Sequence, residues 1–188
     1  MCTSKSDIPD GNDCNLAPLP GGSHVIRLTT PPKDYQETKR VLAIQLDRAF
    51  TLSSQDKQSV PPHLSVWEKT LTSPSQAYEF LLENREDSPN KLVICLSVDE
   101  VRQLTSSIIP ADEPCTLLDV IWIYIFLTSE TKKARRTGNG AIGHAGITGL
   151  DQDSAPTTLT NNEKKKLRKD LRYQLAELAS KNNFLLDS

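Results

Sequence analysis

The stretch Thr116–Thr128, TLLDVIWIYIFLT, decides how the rest of the chain is read. Successive side chains of a strand point to opposite faces. Here Ile121, Ile123, Ile125 and Leu127 fall on one face, and Trp122, Tyr124 and Phe126 on the other. Both faces are apolar, which predicts a central strand in a sheet covered on both sides. That covering makes the aromatic face a packing surface rather than a platform for stacking bases. The apolar run Leu117–Leu127 is broken by Asp119 and falls well short of the roughly 20 residues that a spanning helix needs.

Working back towards the N-terminus, Leu92–Val98 reads as a second buried strand, with Cys95 as a small core residue inside it. It follows a turn at Asp87–Asn90. Before that turn, Ser73-Pro74-Ser75-Gln76 is a helix start, with a Ser cap, proline at the first helical position and Gln completing a capping box. The β-branched and aromatic content of His63–Trp67 predicts a strand after the polar loop Ser53–Pro62. His24–Leu28 reads as a short strand, and Thr30-Pro31 opens a helix.

Towards the C-terminus, residues 129–159 hold five of the eight glycines and few large apolar residues, which predicts a long loop. The chain then enters a helix through the capping box Thr160/Glu163, with Leu167, Leu171, Leu175 and Leu178 as its apolar stripe.

The expected architecture is therefore a single α/β or α+β domain over residues 24–184, preceded by a flexible tail at 1–23. Its mixed sheet has about five strands near 24–28, 41–52, 63–67, 91–98 and 117–128, flanked by helices near 31–40, 74–84 and 161–180. A length of 188 residues suits one such domain and suffices to bury a core without staples. The first residues, MCTSKSDIPDGNDCN, carry no apolar signal stretch, so a cytoplasmic protein is expected, with no membrane contact. Cys2, Cys14, Cys95 and Cys115 form no CxxC pair and have no histidine at ligand spacing. Neither a disulfide framework nor a metal site is expected, and no cofactor is called for.

The net charge of −2 conceals an asymmetry. Residues 131–172 contain ten Lys or Arg against four Asp or Glu, whereas the remainder has twelve against twenty. The cations form two clusters: Lys132, Lys133, Arg135 and Arg136 in the loop, and Lys164, Lys165, Lys166, Arg168, Lys169 and Arg172 in the last helix. Clustered cations displace counterions from phosphates. The helix dipole also disfavours lysines in the first turns, a small cost that points to a partner. The leading functional expectation is a non-catalytic binding or accessory protein that meets a protein or nucleic-acid partner through the basic loop and the C-terminal helix.

Two motifs suggest alternatives. Gly138-Asn139-Gly140-Ala141-Ile142-Gly143 has the letters of a dinucleotide-binding loop. It lacks a strand directly before it and a helix after it, so it reads as a loop. The second motif is His63-Leu64-Ser65-Val66 with His144-Ala145-Gly146-Ile147. This pair resembles the repeated His-apolar-Ser/Thr-apolar motif of two-histidine phosphoesterases. The resemblance implies His63 and His144 as acid and base on a phosphodiester or nucleotide, with Ser65 orienting the phosphate. Gly146 stands where the family's second Ser or Thr would be, which removes half of that phosphate cradle.

Overall fold

A computed structural model of the chain describes residues 17–29, 43–84, 91–109, 116–123, 143–151 and 153–186. Its centre is a six-stranded sheet built from β1 (His24–Thr29), β2 (Leu64–Glu68), β3 (Lys91–Ser97), β4 (Asp119–Trp122), β5 (His144–Thr148) and β6 (Asn183–Leu186). The order is β4-β5-β2-β1-β3-β6, and every neighbouring pair is antiparallel. The helical segments are α1 (Ala43–Leu46), which runs into a 3-10 turn at Asp47–Phe50, then α2 (Ser54–Gln58), α3 (Pro74–Asn84), α4 (Val98–Arg102) and α5 (Asn161–Lys181). This is an α+β fold. Among the described residues the sheet is antiparallel with six strands, where a mixed sheet of about five was expected.

The strands sort their side chains by alternation. Val25, Leu64, Val66, Leu92, Ile94, Val120, Ala145 and Ile147 join one buried cluster with Leu167, Leu171, Leu175, Ala176 and Ala179 of α5. Ile26, Leu28, Trp67, Val93 and Cys95 form a smaller cluster on the opposite face, closed by Ala77 of α3 with Tyr78 packed against it. The two capping boxes read from the sequence are both formed. Ser73 Oγ accepts from Gln76 N at 3.2 Å while Gln76 Oε1 accepts from Ser73 N at 2.9 Å. At the start of α5, the Thr160 side chain accepts from Glu163 N and Glu163 accepts in return from the Thr160 backbone. Hydrogen bonds from Thr160 hold the exposed Glu163 carboxyl below its ordinary range.

Four sequence expectations are corrected. Residues 43–50 are helical and not part of a strand over 41–52, because Leu46, Ala49 and Phe50 are buried at helical spacing. The stretch opened by Thr116 is not central. Its described strand, Asp119–Trp122, stands first in the sheet order, and its outer edge is covered by residues 17–19. Leu19 N donates to Val120 O at 2.8 Å and Trp122 N to Ala17 O at 2.9 Å. Leu19 is buried in the core and Ala17 packs against it, so this end of the stretch read as tail is part of the fold. The predicted loop 129–159 contains β5, whose first four residues are buried between β4 and β2. Gly149 ends it in the left-handed region at φ +91, where an added Cβ would lie 2.0 Å from Leu117 O. The predicted helix 31–40, Tyr124–Thr128 and the loop residues 129–142 lie outside the described residues. Among the described residues, no helix is long and apolar enough to cross a membrane.

Candidate functional site

β2 and β5 bring the two histidine motifs together. Their register sets Ser65 opposite Gly146 and Trp67 opposite His144, so His63, Ser65, His144 and Gly146 share the sheet face that carries Trp67. The imidazole centroids of His63 and His144 lie 5.9 Å apart, edge to face, and Trp67 is 6.1 Å from His144. His63 Nδ1 bonds to Pro61 O at 2.9 Å. Ser65 is half-buried, and its carbonyl accepts from Arg27 Nη1 at 2.7 Å.

The chemistry around the pair is that of a packed interior. His63 is 6% and His144 9% exposed. Burial, reinforced by the nearby His63 charge, lowers the pKa of His144 from its ordinary 6.5 to about 4. A backbone hydrogen bond at Ile123 and the charge of Asp56 act more weakly in the other direction. Its Nδ1 is buried with no hydrogen-bond partner. At neutral pH His144 is therefore neutral. A Cβ at position 146 would lie 2.6 Å from Cδ2 and 2.7 Å from Cβ of His63. The His63 ring thus fills the space that a second phosphate-orienting hydroxyl would need.

The cationic residues occupy the other side of the sheet. Lys165, Arg168, Lys169 and Arg172 stand at i, i+3, i+4 and i+7 on α5, which sets them on one helix face beside the buried leucine stripe. All four line a cavity of about 580 Å3. Lys57 of α2 also lines it, as do Phe50, Leu52 and Leu150 from the larger core cluster, Thr51, Pro62, Asp151 and Asp153. Arg172 is held in place: its Nη1 donates to Thr51 Oγ1 at 2.9 Å and its Nε lies 3.6 Å from Asp47 Oδ1. Arg168 Nε donates to Lys164 O at 3.3 Å. Lys165 and Lys169 are exposed, and neither makes an ion pair with a described residue. The Asp151 carboxylate is engaged by its own turn, accepting from the backbone of Asp153 and Ser154 and from the Ser154 hydroxyl.

Of the sequence-predicted binding residues, Lys164 and Lys166 lie on α5 but do not line this cavity. Lys132, Lys133, Arg135 and Arg136 lie outside the described residues. Sequence reasoning missed Lys57 and the residues that orient Arg172. The signal for Lys57 was present: Ser53 and Asp56 form a capping box that starts α2 inside the polar stretch read as loop. Among the described residues, no group of three or more His, Cys, Asp or Glu side chains is placed to hold a metal ion. Comparison of the chain with protein-family models, with curated proteins and with solved structures gives no match.

Proposed function

We propose that this protein is a non-catalytic binding protein that receives an anionic partner on the cationic face of α5. One observation carries the reading: Lys165, Arg168, Lys169 and Arg172 converge on one cavity, with Lys57 also lining it. Two aspartates share the lining, so the cations are in excess. Like charges gathered in a concave site focus the field and raise the local concentration of anions. Arg172 arrives pre-oriented by Thr51 and Asp47, so less side-chain freedom is lost on binding. The test is calorimetric titration of the full chain with tripolyphosphate. Binding should weaken by about tenfold or more in Lys165→Ala/Lys169→Ala and be kept in Lys164→Ala/Lys166→Ala. Equal loss in both variants, or no binding by the parent chain, overturns the reading.

The 5.9 Å approach of His63 and His144 favours a second reading, a phosphodiester-acting enzyme with Ser65 beside the pair. Burial of both rings, a neutral His144 and the filled space over Gly146 weigh against it. Turnover of bis(p-nitrophenyl) phosphate that disappears in both His63→Ala and His144→Ala would reinstate it. Absence of turnover in the parent chain sinks it.

A further inference from the structure

Resting on that anion-binding reading, we infer that the cleft takes a compact organic phosphate of nucleotide size, with its phosphates along α5 and its organic part over an apolar floor. Three features separate this occupant from a nucleic-acid strand. The first is size. A cavity of about 580 Å3 lies within the range of about 300–1,000 Å3 typical of small-molecule sites.

The second feature is how the charge is laid out. The four α5 cations span eight residues, about 10 Å of helix at a rise of 1.5 Å per residue. That accommodates a short oligophosphate. Within the cavity the stripe does not continue, because neither Lys164 nor Lys166 lines it. The carboxylates of Asp151 and Asp153 share the lining, and they repel a strand that carries a phosphate at every nucleotide. A track for a strand needs cations spaced along its whole path.

The third feature is the floor. Leu52, Pro62 and Leu150 give the cavity an apolar lining that inorganic phosphate cannot use. A ring system laid on that lining removes apolar area from water, and each such contact adds affinity without adding charge. The site therefore combines a few directional cations with an apolar surface, the usual make-up of a small-molecule pocket.

The test compares three probes by calorimetry on the full chain: ADP, pyrophosphate, and an unphosphorylated oligothymidylate of about 12 nucleotides. ADP should bind at least about tenfold more tightly than pyrophosphate, the margin set by its organic part. Both should weaken in Lys165→Ala/Lys169→Ala, whose exposed positions leave the fold intact. Equal affinity for pyrophosphate and ADP overturns the inference. So does tighter binding of the oligonucleotide than of ADP, and in both cases the anion-binding reading stands. If none of the three binds, both fail.

Discussion

The imidazole of His63 lies across Gly146, so close that a Cβ on residue 146 would meet the His63 Cβ at 2.7 Å. The clash is with the root of the side chain, and the ring is anchored to Pro61 O through Nδ1, so rotation does not relieve it. Gly146→Ser should therefore destabilise the protein by about 1–3 kcal/mol, the usual cost of overpacking a filled interior. Denaturant unfolding of the single variants and of Gly146→Ser/His63→Ala checks this. The double variant should recover part of the loss.

His144 makes stability pH-dependent. The unfolded chain takes up a proton below the ordinary pKa of 6.5, whereas the folded chain leaves His144 neutral down to about pH 4. The unfolded state then binds more protons, so stability falls as pH drops through that window and is unaffected by this group above it. The slope is about 1.4 kcal/mol per pH unit, about 3 kcal/mol in all. Urea midpoints measured between these pH values should fall in the parent chain. In His144→Gln that component of the slope should vanish.

Arg27 ties separate parts of the fold together. Its Nε donates to Ala49 O and its Nη1 to Ser65 O, both at 2.7 Å, joining the 3-10 turn to β2. An ammonium cannot reproduce this two-armed geometry. Arg27→Lys should lower stability by about 1–3 kcal/mol, read from denaturant midpoints.

Thr51 acts on the cleft through Arg172. Removing its hydroxyl in Thr51→Val frees the guanidinium, and tripolyphosphate affinity should drop about threefold to tenfold with little change in melting temperature. Thr51→Ser keeps the acceptor and should retain the parent affinity. A merely structural role for Thr51 would move the melting temperature instead.

Much of the fold was legible because it rests on local signals. The boxes Ser73/Gln76 and Thr160/Glu163 mark their helices, and the buried run Lys91–Ser97 marks its strand. What the sequence concealed depends on long-range partners. Asp119–Trp122 looks central because both its faces are apolar, and only residues 17–19, which have no periodicity, reveal how its edge is covered. His144–Thr148 hides as a strand because Gly146 carries no side chain to show alternation, and its glycine is required by a ring 83 residues earlier. For the cleft, the α5 stripe could be read from its spacing. Its apolar floor could not, since Leu52, Pro62 and Leu150 meet only in the folded chain.

The most direct measurement is the salt dependence of tripolyphosphate affinity between about 50 and about 200 mM salt. If the α5 cations seat the anion, log affinity falls linearly with log salt in the parent chain. The slope should then shrink by about two in Lys165→Ala/Lys169→Ala and hold in Lys164→Ala/Lys166→Ala. A parent affinity indifferent to salt, or slopes equally reduced in the two variants, would contradict an anion seated on this face of α5.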